Sequence, residues 1–325
     1  MNRIFVLIFV LGGTLIEALP LISSSESDQI IDLSSLGADL YGTPDQERTA
    51  ALVANYTEET DEVNPEELGS YLEGDMLVPS TLQMMRSGLP TVSHRWSQAI
   101  VPYEIKSRFE ELELSTLLAA MEEFHDHTCI RFVPRVYELD YISIGNDRSG
   151  CWSAVGRRGG RQPVNLQTPS CLRKIGTVIH ELMHALGFLH EQNREERDEY
   201  VLINQENIRQ SYLKNFRKAN STVNFGVEYD YGSIMHYSRK AFSRNGLPTM
   251  KAIKKRYGVR MGQRWGFSES DVQKLNRMYN CTVEEEFMTQ PHESNSAEDT
   301  KEETNEETNE EMIDKTDPYI LNSLS

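Results

Sequence analysis

Between residues 87 and 283 the sequence predicts an α+β domain. Three observations carry that expectation: short apolar runs that read as strands, two longer stretches with helical apolar spacing, and a helix that closes the domain. Residues 99–105 form the first strand, and Pro102, which cannot donate to a ladder, sets it near a sheet edge. Residues 107–124 repeat apolar side chains at Phe109, Leu112, Leu117, Leu118 and Met121, the pattern of an amphipathic helix. Residues 129–134 and 141–144 read as further strands, and residues 157–161, Arg-Arg-Gly-Gly-Arg, as a loop. Residues 175–188 make the central helix, with Val178, Leu182, Ala185 and Leu186 on an apolar side. Residues 271–279 close the domain as a helix.

The central helix carries His180, Glu181 and His184, with Gly187 and His190 just beyond it. Four residues apart, His180 and His184 share one helix face, so both imidazoles can hold one ion at ~2.0–2.1 Å. Glu181 stands next to the first ligand, placed to take a proton from water on that ion. Gly187 lets the chain leave the helix, and the turn after it can return His190 as a third ligand. Three protein ligands leave one position open, which marks a catalytic rather than a structural zinc, so one Zn2+ per chain is expected. An inactive binding protein on the same fold is the rival reading, but neither Glu181 nor any of the three histidines is lost.

Together with Ser233-Ile234-Met235-His236-Tyr237, these residues match the metzincin signature. The sequence resembles the astacin family of zinc metalloendopeptidases. That family continues after its third His as Glu-x-x-Arg-x-Asp-Arg. Here residues 191–197 read Glu-Gln-Asn-Arg-Glu-Glu-Arg, with Glu196 in place of Asp. Residues 261–268, followed by Asp271, Lys274, Asn276, Tyr279 and Cys281, are similar to the end of the family's domain. The resemblance implies a two-lobed metzincin-like protease with the metal in the cleft, Glu181 as general base and Met235 beneath the metal. It implies Tyr237 as a further ligand that swings to stabilise the tetrahedral intermediate. Four cysteines permit three pairings; the resemblance implies Cys129 with Cys281 and Cys151 with Cys171. It also implies that Arg264, within Gly-Gln-Arg, lines the pocket for the residue just after the scissile bond and favours Asp or Glu there. A surface Arg packed on Trp265 is the alternative.

Residues 19–86 are polar and acidic, with weak core candidates, and read as a prosegment. Within them, residues 71–75, Tyr-Leu-Glu-Gly-Asp, resemble the family's inhibitory Phe-x-Gly-Asp motif, with Leu72 in the Phe position. The resemblance implies that Asp75 fills the open metal position and keeps the enzyme latent; an ordinary Gly-Asp turn is the alternative. Arg86 suits a trypsin-like activating protease, and Trp96 lies nine residues after Ser87, the family's distance from a mature N-terminus. The freed amine is then expected to be buried against Glu191.

Residues 1–18, a basic start and an apolar run, read as a secretory leader. A secreted, extracellular product follows, with an even cysteine count suited to disulfides. No later segment approaches eighteen apolar residues, so no membrane anchor is expected. The net charge of −17 divides into −12 over residues 1–86, +7 over 87–283 and −12 over 284–325. A mildly basic domain is thus flanked by acidic arms, and nucleic acid is not an expected partner. The tail 284–325, with its Glu-Glu-Thr-Asn repeat, reads as solvated and disordered, or as a screen over a basic substrate-binding face. Glycosylation sequons start at Asn55 and Asn220, with a third at Asn280 beside Cys281. Expected partners are protein or peptide substrates and the activating protease, acting on a monomer.

Overall fold

Six short strands pair into one sheet, and two helices pack together beneath it. A computed structural model describes residues 44–57, 62–77, 92–218, 224–254 and 259–281, all within one compact unit, Met1–Thr282. In chain order the elements are α1 (Gln46–Ala54), β1 (Met76–Leu77), β2 (Ile100–Ile105), α2 (Glu111–His127), β3 (Arg131–Pro134), β4 (Tyr141–Gly145), β5 (Cys151–Ala154), β6 (Arg161–Leu166), α3 (Ile175–Leu186), β7 (Val201–Ile203), β8 (Met250–Ala252) and α4 (Glu269–Tyr279). The sheet order is β1-β5-β6-β4-β2-β3, parallel except between β5 and β6. A separate antiparallel pair, β7 with β8, lies in the second half of the chain.

Strand β2 is interior, between β4 and β3, not near the edge that Pro102 suggests. The ladder explains why. Arg135 N donates to Tyr103 O on the β3 side, whereas Lys106 N donates to Ile144 O on the β4 side. Pro102 therefore turns its missing donor towards β4, where pairing starts only at Tyr103 with Ile142. Helix α2 starts later than its apolar spacing suggests, because Glu110 N is capped by the Glu113 carboxylate at 2.9 Å. Its buried stripe is Leu117, Ala120, Met121 and Phe124, while Leu112 and Leu118 are exposed. The N-terminal residues hold more core than expected. Val53 of α1 joins the main cluster, and Tyr56, Tyr71, Leu72 and Met76 are buried.

Helix α3 is buried along its whole length from Gly176 to Leu186. A buried helix end leaves carbonyls that water cannot satisfy. Gly187, at φ +108°, turns back so that its N–H reaches His184 O at 2.8 Å. Trp96 Nε1 then donates to Ala185 O, and Tyr279 Oη to Leu186 O, each at 2.9 Å. These donors come from three separate stretches and fix the helix end just before His190.

Cys129 is bonded to Cys281, and Cys151 to Cys171. No helix among the described residues is long and apolar enough to cross a membrane. Asn55 is exposed at the end of α1. The leader 1–18, the Arg86–Ser87 junction, Asn220 and the tail 284–325 lie outside the described residues.

Candidate metal centre and the segment across its cleft

His180 and His184 project from α3, and His190 follows the Gly187 turn; all three are fully buried. Each ring is oriented by its far nitrogen. His180 Nδ1 donates to Ile234 O at 2.9 Å, His184 Nδ1 to Phe188 O at 2.7 Å, and His190 Nδ1 to the Glu73 carboxylate at 3.0 Å. Those bonds fix the tautomers and leave the three Nε2 atoms to converge. His180 Nε2 and His184 Nε2 are 3.1 Å apart, close to the ~3.3 Å between two ligands of a tetrahedral zinc. Asp75 Oδ2 lies 3.1 Å from His180 Nε2 and 3.3 Å from His190 Nε2, and Asp75 Oδ1 lies 3.5 Å from His184 Nε2. Three imidazole nitrogens and one carboxylate oxygen, all within 4.8 Å of one another, fit a Zn2+ donor set. Both oxygens of buried Glu181 have no hydrogen-bond partner, as suits a carboxylate kept for a water or a proton.

The electrostatics follow from burial. Burial, then Asp75 and Glu66, push the Glu181 carboxyl well above its usual range. Asp75 is buried too, yet His190 and His184 outweigh that and hold it low. His236 is pulled by burial down to about 4. Its Nε2 meets Tyr229 Oη at 2.7 Å, and its Nδ1 donates to Tyr237 O at 2.8 Å.

Residues 233–237 turn beneath α3. Asp271 of α4 accepts from Ser233 Oγ at 2.6 Å and Ile234 N at 2.8 Å. Met235 N donates to Ser233 Oγ, and Met235 O accepts from Glu191 N. Tyr237 Oη donates to Glu73 O at 2.5 Å, with its ring 4.6 Å from that of His190. Glu191 is not a surface charge: it is buried and accepts from Lys274 Nζ at 2.6 Å, Arg194 Nη1 at 2.8 Å and Asp230 N at 2.9 Å. Lys274 and Arg194 outweigh burial and keep its pKa low.

Arg264 is not a surface side chain packed on Trp265. It is 2% exposed, whereas Trp265 is 68% exposed. Its Nε donates to Glu66 Oε1 at 2.5 Å, and Thr177 Oγ1 lies 3.4 Å from Glu66 Oε2. Next to it, Glu67 accepts from Ser238 N at 2.6 Å and from Ser238 Oγ. Asn64 Nδ2 donates to Gly262 O at 3.2 Å. Residues 62–77 thus cross the whole cleft, from Arg264 past the histidines to β5, where Met76 and Leu77 pair with Ser153 and Ala154. Of the sequence-derived site residues, His180, Glu181, His184, His190 and Asp75 come together, with Tyr237 beside them. The sequence did not single out Glu66, Glu67 or Glu73. A signal for the first two was present in Asn64-Pro65-Glu66-Glu67, a cap residue, a Pro at the first helical position and a Glu two further on.

The Astacin family model, described as that of a peptidase family, matches residues 89–280. Zinc metalloproteinase nas-13 of Caenorhabditis elegans is 46% identical over 211 residues, 64% of this chain and 46% of that protein. The low choriolytic enzyme of Oryzias latipes is 40% identical over 224 residues, 67% of this chain and 81% of that protein. The solved structure of high choriolytic enzyme 1, a hatching enzyme zinc-protease from the same fish, shares the fold. It has a TM-score of 0.55 and 41% identity, and the match covers 60% of this chain and all of that one. The match spans less than half of nas-13 and only 33% of nas-15.

Proposed function

Because this chain belongs to the astacin family of peptidases, we propose that it is a secreted zinc metalloendopeptidase made as a latent precursor and active as a monomer. The observation that carries this reading is the convergence of three imidazole Nε2 atoms beside the unpartnered Glu181 carboxylate.

His180, His184 and His190 would hold the metal, with the tautomers of the first two set by Ile234 O and Phe188 O and that of His190 set by Glu73 in the precursor only. When bound, zinc supplies Lewis-acid polarisation and lowers the pKa of its water to ~7. Glu181 accepts a proton as water attacks the scissile carbonyl, then returns it to the amine nitrogen as the C–N bond breaks. Tyr237, once released from Glu73 O, is the candidate donor to the oxygen gaining charge, a role worth roughly 2.7–4 kcal/mol in comparable sites. In the precursor, Asp75, 3.1 Å from His180 Nε2 and 3.3 Å from His190 Nε2, would serve as the fourth ligand and shut out the attacking water. Cleavage after Arg86 by a trypsin-like protease releases that segment. Arg264 selects an acidic residue just after the scissile bond, a reading supported by the Glu66 carboxylate seated on it.

The test is trypsin treatment of the purified precursor, then profiling of peptide cleavage with and without a chelator. Cleavage before Asp or Glu is expected only after trypsin, lost with chelator and restored by Zn2+. Glu181→Gln is expected to keep zinc by metal analysis and lose turnover. Full turnover in that variant would overturn the assignment of Glu181 as the base.

A further inference from the structure

Beyond Arg264 the cleft opens into a cavity of about 870 Å³. Its wall carries Arg239, Lys240, Lys251, Lys254 and Arg260, and among the described residues its one acidic lining residue is Glu62 of the N-terminal segment. Arg239, Lys251, Lys254 and Arg260 are exposed. Three further observations point to an anionic occupant. Lys240 Nζ forms an ion pair with Glu62. Glu66 fills the inner end with a carboxylate buried on Arg264. Arg264 Nη2 is buried there with no hydrogen-bond partner, a donor left over after Glu66 has bound. In sequence, Glu62 is the last of an acidic run, Glu58-Glu59-Thr60-Asp61-Glu62.

We propose that this basic wall binds an acidic run of the substrate, the second to fourth residues after the scissile bond. The enzyme then selects a cluster of acids rather than a single acid at Arg264. In the precursor, Glu62 and Glu66 stand where carboxylates of the substrate would bind. The assignment rests on the reading of Arg264 as the pocket for the first residue after that bond. Cations spaced along an open wall attract an extended anion at long range, and salt screens that attraction.

The experiment uses the trypsin-activated Glu181→Gln chain and two fluorescein-labelled peptides, Gly-Ala-Asp-Glu-Glu-Asp and Gly-Ala-Asp-Gln-Gln-Asn, read by anisotropy. The acidic peptide is expected to bind about tenfold tighter at low ionic strength, with the gap closing at high salt. Lys240→Glu with Lys251→Glu should abolish the gap while leaving affinity for the amide peptide in place. Equal affinity for both peptides, or a gap that survives the double substitution, overturns the proposal. Carbodiimide crosslinks from Lys251 to glutamates of residues 284–325 in the activated full chain would give the wall to the tail and also overturn it. Binding is read without turnover, so it decides the wall by itself. Hydrolysis of the acidic peptide by the activated wild-type chain decides the peptidase reading separately.

Discussion

Glu66 and Arg264 are 198 residues apart in sequence and pair with no exposed surface on either side chain. A buried pair adds little net stability, but removing one partner strands the other charge. Glu66→Ala is therefore expected to destabilise the unprocessed chain by on the order of 3–5 kcal/mol in denaturant unfolding. Adding Arg264→Leu should recover much of that loss, and a double-mutant cycle measures the coupling. His236 carries a different liability. Its pKa falls from 6.5 unfolded to about 4 folded, so the fold prefers the neutral ring. Its contribution is complete above pH 6.5 and is lost as pH falls towards 4, on the order of 3 kcal/mol in all. The slope of unfolding free energy between those pH values should flatten in His236→Gln; an unchanged slope would place the acid sensitivity elsewhere. At this scale the histidines were legible, since spacing along one helix and a glycine turn fix them. Glu66, Glu67 and Glu73 were not, since a buried acid looks like a solvated one until its distant partner is known.

At the scale of elements, the site depends on backbone approaches that carry little sequence signal. A Cβ on Gly176 would come within 2.3–2.5 Å of the Arg264 backbone, whose carbonyl accepts from Gly176 N at 3.2 Å. Gly176→Ala should push the chain around Arg264 off α3. The expected result is a fall in the ratio of kcat/KM for Asp over Asn after the scissile bond, by about tenfold or more, since an ångström of misplacement can cost roughly 100-fold. Asp271 joins the start of α4 to the turn at Met235. Its carboxylate accepts from Ser233 Oγ, Ile234 N and Ser268 N, and its own N donates to Ser268 Oγ at 3.1 Å. Asp271→Ala leaves buried donors unmet, and a loss of roughly 1–3 kcal/mol per stranded group is expected in thermal unfolding. The longer helices were legible from their periodicity, though Leu112 and Leu118 showed that apolar spacing does not decide which side is buried. Strands β1, β7 and β8 were not, because two or three residues give no pattern, and β5 and β6, Cys-Trp-Ser-Ala and Arg-Gln-Pro-Val-Asn-Leu, carry no clean apolar alternation.

Across the whole molecule, the Cys129–Cys281 bond closes a separation of 152 residues and ties the start of β3 to the end of α4. Replacing both cysteines by Ser should lower stability by about 2–5 kcal/mol, measured as a shift in denaturant midpoint under non-reducing conditions. The α+β class and the family were legible because several separated motifs agreed. The pairing of the cysteines was legible only through the family resemblance, since spacing alone permits three arrangements. The order of the sheet was not legible, and it carries a consequence for storage. Strand β5 is flanked by β6 on one side and by the two residues of β1 on the other. If the proposed processing removes the N-terminal segment, that second side becomes a bare row of N–H and C=O groups. An uncovered edge is a template for self-association. On the proposed function, the precursor is then expected to be the shelf-stable form, and the processed form is expected to keep best dilute or with a peptide laid along β5.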